Sequence, residues 1–254
     1  MPASLVIGAS SSIATALIAK LRADRGNKFS KNNVDNSEPY LVCISRQRLK
    51  IHHPGEIFLH CDYSESSISQ LCDELSEQGL VFEQVFIFNG VLHKHDFMPE
   101  KRLQDITTGQ LIQSFSANTL IPLLCLAKLA PLLKSSPHRS LPKITIAVLS
   151  ARVASITDNQ LGGWYSYRAT KAALNMALKC AAIELKRSHK NVKLIAFHPG
   201  TTQSPLSQPF QKNVAEGKLF QPEFVANQLL EICSKSKVDG KLSYLDWNNK
   251  EIPW

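Results

Sequence analysis

The stretch "LVIGASSSIATAL" (Leu5–Leu17) decides the fold, because it has the pattern of a buried strand, a tight turn and the start of a helix. In a parallel sheet such a turn holds a pyrophosphate against the helix N-terminus, where free N–H groups and the helix dipole favour anions. Gly8 stands where the chain leaves the strand, and Ser10–Ser12 offer hydroxyl donors. The expected Gly-x-x-x-Gly-x-Gly spacing is incomplete, since Ser12 and Ala14 replace its second and third glycines. An ordinary strand–turn–helix with serine N-caps therefore stays open.

Apolar runs and helical patterns alternate along the rest of the chain. The predicted strands are Leu5–Ile7, Leu41–Ile44, Ile57–His60, Val85–Phe88, Ile144–Leu149, Val192–Phe197 and Leu242–Leu245. The predicted helices are Ser12–Ala23, Ser67–Glu77, Thr108–Leu133, Ser166–Arg187 and Pro222–Ser234. Short, nearly continuous apolar strands separated by helices indicate an α/β fold, with a parallel sheet covered by helices on both faces.

Composition narrows the class of protein. The 254 residues are 44% hydrophobic and 20% charged, which is ordinary for a soluble globular protein, and no apolar run near the roughly 20 residues of a membrane span stands out. The net charge is +8, but no long Lys/Arg run with interleaved aromatic residues indicates nucleic acid, so an anionic cofactor is the preferred explanation. Six scattered cysteines predict reduced, buried thiols in the cytoplasm. His93 and His95 lack acidic or cysteine partners at metal-binding spacing, so no metal is expected.

The ends of the next strands carry further candidate cofactor contacts. After the second strand the chain offers Ser45 and Arg46 in place of an acidic residue, which favours the 2′-phosphate of NADP over the ribose of NAD. A plain surface arginine is the alternative. Asp62 follows the third strand, in reach of an adenine edge, and Asn89 and Gly90 follow the fourth, where a small residue lets the backbone approach a cofactor.

The segment "GGWYSYRATKAALN" (Gly162–Asn175) contains two tyrosines and one lysine with catalytic potential. On a helix Tyr167 and Lys171 share a face, whereas Tyr165 lies about 240° around the axis from the lysine. Lowering a tyrosine pKa from about 10 to about 7 requires roughly 4 kcal/mol. An ammonium about 5 Å away supplies about 3 kcal/mol at an effective dielectric of about 20. Tyr167 is therefore the candidate acid–base group, although a packed tyrosine beside a solvated lysine is the alternative.

Three segments together carry a resemblance to a known family. They are "LSARVASITDNQLGGWYSYRATKAALNM" (Leu149–Met176), "HPGTTQSPLSQPF" (His198–Phe210) and "LDWNNKEIPW" (Leu245–Trp254). Over nearly its whole length the chain resembles the short-chain dehydrogenase/reductases, and within them the C-factor (C-signal) branch of carbonyl-reductase-like proteins. The resemblance implies one Rossmann-like, doubly wound domain over residues 1–254, with seven parallel strands in the order 3-2-1-4-5-6-7.

The resemblance also implies catalytic roles. It assigns Tyr167 as general acid/base, Lys171 as the group that lowers the pKa of Tyr167 and binds the nicotinamide ribose, and Asn118 as the family's asparagine. The family's serine pair reads Ser150-Ala151 here. Three alternatives stay open: Ser150 orients the substrate carbonyl, Ser155 does so instead, or no serine has this role.

The main-chain carbonyl of the family's asparagine holds a water that leads to the lysine. Pro122 lies four residues after Asn118 and has no N–H, so it leaves that carbonyl without its helical partner. We therefore expect a kink here and a water between Asn118 and Lys171. A proline that only adjusts helix curvature is the alternative.

The Pro-Gly turn after the sixth strand touches the nicotinamide carboxamide in the family, and the loop at about 201–219 is expected to line the substrate pocket. His198 in this turn is expected to be hydrogen-bonded locally rather than catalytic. The predicted cofactor contacts are Gly8, Ser10, Ser11, Ser12, Ile13, Ser45, Arg46, Asp62, Asn89, Gly90, Tyr167, Lys171, Pro199, Gly200 and Thr201.

The function implied is an NADP(H)-dependent oxidoreductase, with NAD(H) second, that transfers hydride between the nicotinamide and a small carbonyl or alcohol. The alternative is a nucleotide-binding, C-factor-like cell–cell signalling protein with little or no turnover, favoured by Ala151 and the incomplete glycine pattern. No nucleic acid or membrane partner is expected. The apolar helices that bear Asn118 and Tyr167 suggest a homodimer or homotetramer.

Overall fold

The computed structural model describes residues 2–29, 39–48, 53–133 and 143–254, and its centre is one parallel sheet of seven strands. The strands of this sheet are β1 (Ala3–Ile7), β2 (Leu41–Ser45), β3 (Glu56–His60), β4 (Phe82–Ile87), β5 (Ile144–Leu149), β6 (Val192–His198) and β9 (Leu242–Asp246). Two short strands, β7 (Thr201–Thr202) and β8 (Leu219–Phe220), pair with each other outside it. The sheet order is β3-β2-β1-β4-β5-β6-β9, which confirms the predicted order.

Helices connect the strands at nearly the predicted places. They are α1 (Ser12–Phe29), α2 (Glu65–Glu77), α3 (Thr108–Phe115), α4 (Ile121–Leu129), α5 (Tyr165–Ser188) and α6 (Pro222–Lys235). The first helix runs six residues past the predicted end at Ala23, into a polar stretch where apolar periodicity gave no signal. Apart from the interrupted helix over 108–133 and the two short extra strands, only the boundaries of the predicted elements change.

Alternate residues of the strands face opposite helical layers. Leu5 and Ile7 of β1 belong to the core that α2, α4 and α5 cover, whereas Val6 belongs to the core that α1 and α6 cover. All five residues of β1 are buried, as expected for a strand with helices on both faces. The doubly wound α/β architecture is thus confirmed.

The carboxyl ends of the central strands lie level with one another. Ile7 pairs with Ile44 of β2 and with Ile87 of β4, and Ile87 pairs in turn with Val148 of β5. The connections on the two sides of β1 run in opposite directions along the sheet, so the loops after β1 and β4 diverge and leave a crevice at this edge. Ligands of open α/β sheets bind in such crevices.

The helical stretch 108–133 is interrupted where the proline predicted a break. A π turn covers Ser116–Leu120, in which the Ile121 N–H donates to the Ser116 carbonyl, and Pro122 follows in the first turn of α4. The predicted disturbance therefore takes the form of a π turn that contains Asn118. By length and composition Thr108–Leu133 also qualifies as a membrane-crossing helix, contrary to the expectation from apolar runs, but a core helix has the same composition.

Candidate active site

The turn between β1 and α1 packs tightly against the end of β4. Gly8 has φ +77°, and a Cβ at this position would lie 3.1 Å from the Asn89 nitrogen. The N–H groups of Gly8 and Ala9 both donate to the Ile44 carbonyl at 3.0 Å. The hydroxyl of Ser11 accepts from the Ala14 N–H at 3.3 Å. One serine of the run therefore caps the helix, as expected for an ordinary strand–turn–helix with serine N-caps. Gly8 is needed here both for its backbone angle and for this close approach.

The predicted adenine-side residues lie at the ends of β2 and β3. Ser45 is buried and its hydroxyl accepts from the Gln47 N–H at 3.0 Å, while Arg46 is exposed. The guanidinium of Arg46 lies 5.8 Å from the ring centroid of Tyr63. The Asp62 carboxylate accepts from the hydroxyl and the amide of Ser64, and these hydrogen bonds lower the pKa of Asp62. Arg46 thus lies exposed directly after β2, where the sequence predicts a contact with a 2′-phosphate.

The loop after β4 meets the helix that bears the tyrosine. A Cβ on Gly90 would lie 3.2 Å from Asn118 Oδ1 and 3.4 Å from Lys171 Nζ, so only glycine leaves this approach open. The Oδ1 atom of Asn89 is buried and has no hydrogen-bond partner among the described residues. An unsatisfied buried acceptor beside an open glycine marks a place where a polar ligand group fits.

A buried glutamate, which the sequence did not reveal, holds the start of α5. The Glu100 carboxylate accepts from the Ser166 N–H at 3.1 Å and from the Ser166 hydroxyl, and its main-chain carbonyl accepts from the Trp164 N–H. Trp164 has φ 52°, in the left-handed region that glycine favours. An acidic group at this end of the helix also complements its dipole. Glu100 thereby fixes the turn from which Tyr167 projects.

Tyr167 and Lys171 lie one turn apart on α5, as predicted, but their electrostatics differ from the prediction. Lys171 is 2% exposed and its Nζ donates to the Leu149 carbonyl at 2.8 Å. Burial lowers the pKa of Lys171 to about 7. Burial, and to a smaller extent Tyr244, raises the pKa of Tyr167, so the predicted lowering is wrong for this structure because desolvation of the phenolate dominates.

Asn118 connects the π turn to the loop after β4 and to α5. Its Oδ1 accepts from the Val91 N–H at 2.7 Å, and its Nδ2 donates to the Val91 carbonyl at 2.9 Å and to the Thr170 hydroxyl at 3.2 Å. The side chain is completely buried. Asn118 therefore fixes the loop at Gly90 against the residue that precedes Lys171.

Both candidate serines are occupied by other partners. The Ser150 hydroxyl donates to Asn175 Oδ1 at 2.7 Å, and the Ser155 hydroxyl accepts from the Asp158 N–H at 3.0 Å. The Ala151 carbonyl accepts from the Tyr244 hydroxyl at 2.6 Å. Asn175, one turn beyond Lys171, was not singled out from the sequence. The structure thus gives Ser150 an internal partner, and neither serine hydroxyl is paired with Tyr167.

The loop after β6 closes over the site through aromatic residues. At its base, a Cβ on Gly200 (φ +72°) would lie 2.6 Å from the Phe220 ring. Further along the loop, Phe210 contacts Trp164 at a ring-centroid distance of 5.0 Å. His93 lies 5.9 Å from Phe210, and Trp164 lies 6.3 Å from Tyr167. We call His93, Phe210, Trp164 and Tyr167 the aromatic wall.

The surroundings of His198 and of the cysteines indicate structural rather than catalytic roles. The Nδ1 atom of His198 is buried without a hydrogen-bond partner in the part of the chain that the structure describes. Burial, with a smaller effect of Arg152, lowers the pKa of His198 to about 4. Five cysteines are buried and free, whereas Cys180 is exposed. No group of three or more His, Cys, Asp and Glu side chains is placed to hold a metal ion within residues 2–29, 39–48, 53–133 and 143–254.

Comparison with known proteins finds similarity in sequence and in fold. No family model matches the chain. The chain is 26% identical over 152 residues to the C-signal of Myxococcus xanthus, covering 60% of this chain and 83% of that protein. It is 28% identical over 168 residues to a 1-hydroxy-2-glutathionyl-2-methyl-3-butene dehydrogenase of Rhodococcus sp. strain AD45, covering 66% of each. A short-chain dehydrogenase/reductase of Burkholderia multivorans, solved with bound NADP, has a TM-score of 0.75 at 21% identity, covering 100% of this chain and 99% of that one.

The chain has the fold of this solved short-chain dehydrogenase/reductase. Within this fold, the residues present fit a dinucleotide at the carboxyl edge of the sheet. Gly8 and Gly90 leave room that a side chain would fill, and Asn89 offers an unsatisfied acceptor. Ala151 has no hydroxyl for the carbonyl-orienting serine role that the resemblance implies, which concerns catalysis rather than the fit of the dinucleotide.

Proposed function

We propose that the protein is an NADP(H)-dependent oxidoreductase that transfers hydride between the nicotinamide and a small carbonyl or alcohol substrate. Residues 1–254 would act as one dinucleotide-binding domain, with the loop at about 201–219 over the substrate. The observation that carries the proposal is the position of Tyr167 and Lys171, one turn apart on α5, with Lys171 Nζ beside Gly90 and Asn118 at the carboxyl end of β4. A proton donor and a hydride donor would meet at this point.

The coenzyme would lie along the carboxyl edge of the sheet. The turn at Gly8 and the N-terminus of α1, with Ser10–Ile13, would hold the pyrophosphate. Arg46, with Ser45, would meet the 2′-phosphate of NADP, and Asp62 the adenine. Asn89 and Gly90, together with the turn 199–201, would contact the nicotinamide half. The Burkholderia multivorans protein that was solved with bound NADP has a similar fold and supports this choice of coenzyme.

The reduced nicotinamide supplies a hydride when it is bound, and the chain supplies the proton. The raised pKa of Tyr167 keeps its phenol protonated at neutral pH. An alkoxide is far more basic than a phenolate, so the Tyr167 hydroxyl can donate its proton to the carbonyl oxygen as negative charge develops there. A protonated Lys171 stabilises the phenolate that remains. Carbonyl reduction starts from the phenol, whereas alcohol oxidation would need the phenolate at the start.

Asn118 and Ser150 complete the proposed catalytic group as supporting residues. Asn118 holds the loop at Gly90 close to Lys171, and a water on its main-chain carbonyl would lead to the lysine. Ser150 holds Asn175, on the same face of α5 as Tyr167 and Lys171. Tyr167 would then be the main hydrogen-bond donor to the substrate carbonyl.

The aromatic wall indicates how a substrate would be held. Three aromatic rings and the Tyr167 ring follow one another at centroid distances of 5.0 to 6.3 Å, which gives an apolar surface beside the reactive hydroxyl. Apolar surface removed from water contributes about 25 cal/mol per Å². Small carbonyl compounds with an apolar body therefore fit this side of the site better than sugars.

The test is Tyr167→Phe with Tyr165→Phe as the matched control. NADPH oxidation is followed with a panel of aldehydes and ketones, and NADPH binding is followed by fluorescence. We expect Tyr167→Phe to lose at least about a hundredfold in turnover while it keeps NADPH affinity, whereas Tyr165→Phe stays near wild type. Equal turnover of both variants would contradict the assignment of Tyr167.

A second function stays in competition because of the serine position. Ala151 has no hydroxyl and Ser150 is engaged with Asn175, so the chain is also compatible with a nucleotide-binding, C-factor-like signalling protein with little turnover. The likeness to the C-signal supports this alternative, and the likeness to the Rhodococcus dehydrogenase supports the enzyme. Wild-type protein that binds NADPH but reduces no member of the panel would favour signalling.

We also propose a cytoplasmic protein that self-associates and has no nucleic acid or membrane partner. Ile112 on α3, Leu120 at the end of the π turn, and Met176 and Ile183 on α5 are exposed apolar side chains. A homodimer or homotetramer through these helices would cover them. Light scattering should give a mass two or four times that of the chain, and Met176→Glu should reduce it to one.

A further inference from the structure

Tyr63 has an unusual backbone for a residue of its type. It follows β3, has φ 68° and is 6% exposed, so a large buried side chain stands in the left-handed region. Non-glycine residues in this region persist where their surroundings hold them, and they concentrate at functional sites. Trp164, which has the same kind of backbone, begins the helix of the candidate active site.

The hydroxyl of Tyr63 connects the strands that form the coenzyme edge. It accepts from the Gly8 N–H at 3.0 Å and donates to the Ile44 carbonyl at 3.2 Å. Burial raises the pKa of Tyr63 to about 12, against hydrogen bonds from the Asn89 side chain and the Gly8 amide, so the hydroxyl keeps the proton that it donates. One oxygen atom thus bonds both the turn that follows β1 and the end of β2.

The ring of Tyr63 lies beside the arginine placed for the 2′-phosphate. The Arg46 guanidinium is 5.8 Å from the ring centroid, within the range of a cation–π contact. Arg46 is exposed, and an exposed arginine without such a contact samples many rotamers. A cation–π contact at this distance would favour the rotamers that keep the guanidinium near the ring.

Because the glycine pattern of the turn after β1 is incomplete, a side chain that holds this turn in place would be useful. Ser12 and Ala14 stand where glycines would let the turn and the helix fit closely. We propose that Tyr63 is a positioning residue for the dinucleotide: its hydroxyl fixes the turn at Gly8, and its ring fixes Arg46. This inference rests on the proposed function, because it assumes that the turn and Arg46 bind NADP(H).

Two substitutions separate the two parts of Tyr63. Tyr63→Phe removes the hydroxyl and keeps the ring, so NADPH and NADH should both bind about five- to tenfold more weakly while the preference for NADPH persists. Tyr63→Leu also removes the ring, so the ratio of NADPH to NADH affinity should fall by a further factor of about three to five. In steady-state assays of both variants the KM for coenzyme should rise while kcat stays within about twofold.

Tyr40→Phe is the matched control. The Tyr40 hydroxyl donates to Glu56 at 2.7 Å and touches no residue assigned to the coenzyme, so its loss should lower thermal stability without changing either affinity. Arg46→Leu removes the guanidinium that contacts the Tyr63 ring. It should abolish the preference for NADPH in the wild type, and in Tyr63→Leu it should have less effect than in the wild type.

The outcomes distinguish this inference from the function on which it rests. If wild type binds NADPH and Tyr63→Phe binds both coenzymes as tightly as wild type, the role of Tyr63 is wrong and the proposed function stands. If the effects of Arg46→Leu and Tyr63→Leu on the preference for NADPH are additive, the role of the ring is wrong. This double-mutant cycle also tests the proposal if Tyr63→Phe does not fold. Wild type that binds neither coenzyme overturns both proposals.

Discussion

The most demanding prediction concerns the buried amine of Lys171. Its side chain is 2% exposed, its Nζ donates to the Leu149 carbonyl at 2.8 Å, and burial lowers its pKa from 10.5 to about 7. We consider Lys171→Met, which keeps an unbranched side chain of similar length and removes the charge. Removing a buried charge should stabilise the fold at neutral and acidic pH.

The sign and the size follow from proton linkage. Because the folded pKa is the lower one, the unfolded chain retains a proton between about pH 7 and 10.5 that the native protein has lost, so wild-type stability rises across this window. A change from 10.5 to about 7 corresponds to about 5 kcal/mol at about 1.36 kcal/mol per pKa unit. The Leu149 carbonyl loses its donor in the variant, which costs about 1 kcal/mol. Below pH 7 the variant should therefore be more stable by a few kcal/mol, and the gain should vanish by about pH 10.

The assay is urea unfolding followed by tryptophan fluorescence at several pH values from about 6 to about 10. The quantity of interest is the free energy of unfolding of Lys171→Met minus that of wild type, because other titrating groups cancel in the difference. Lys190→Met, at an exposed lysine just beyond the same helix, is the control and should show a small, pH-independent difference. A difference for Lys171→Met that does not change with pH would refute the buried, partly neutral amine.

The remaining predictions concern neighbouring groups. Ala151→Ser adds a hydroxyl at the family's serine position and should raise kcat about tenfold with an unchanged KM for NADPH, measured on the carbonyl panel. Glu100→Ala should lower the free energy of unfolding by about 2 kcal/mol in urea and reduce kcat, because the start of the tyrosine helix loses its cap. Trp164→Ala and Phe210→Ala should raise the KM of apolar carbonyl substrates about tenfold without changing that of NADPH. NADPH binding should take up a fraction of a proton at about pH 8, seen by calorimetry in two buffers and absent in Lys171→Met, because the phosphates raise the pKa of the amine.

The sequence was sufficient for the sheet and for the residues on its carboxyl edge. The strands are continuous apolar runs because both faces of a parallel sheet are buried, and this pattern can be read without a structure. Gly8 and Gly90 were found because a missing side chain at a strand end has a direct steric meaning, and the structure places atoms within 3.2 Å of a Cβ at each. Local pattern therefore predicts the frame of the site.

Features that depend on distant residues could not be predicted in this way. Glu100 caps a helix 66 residues later in the chain, and the Tyr63 hydroxyl reaches Gly8 across 55 residues. Neither glutamate nor tyrosine stands in a pattern that indicates such a partner. The pKa of Tyr167 was predicted in the wrong direction for a related reason, since helical spacing gives the distance to Lys171 but not the burial of the phenol.

The two pKa changes at the site point to one consequence. Burial favours the neutral form of both groups, so it holds Tyr167 as a phenol and brings Lys171 close to neutrality at pH 7. Neither group alone is then ready to stabilise a phenolate, and a charged Lys171 requires compensating negative charge nearby. The phosphates of a bound dinucleotide would provide that charge. Acid–base competence of this site would thus depend on the coenzyme, which would keep the phenol unreactive whenever hydride is not available.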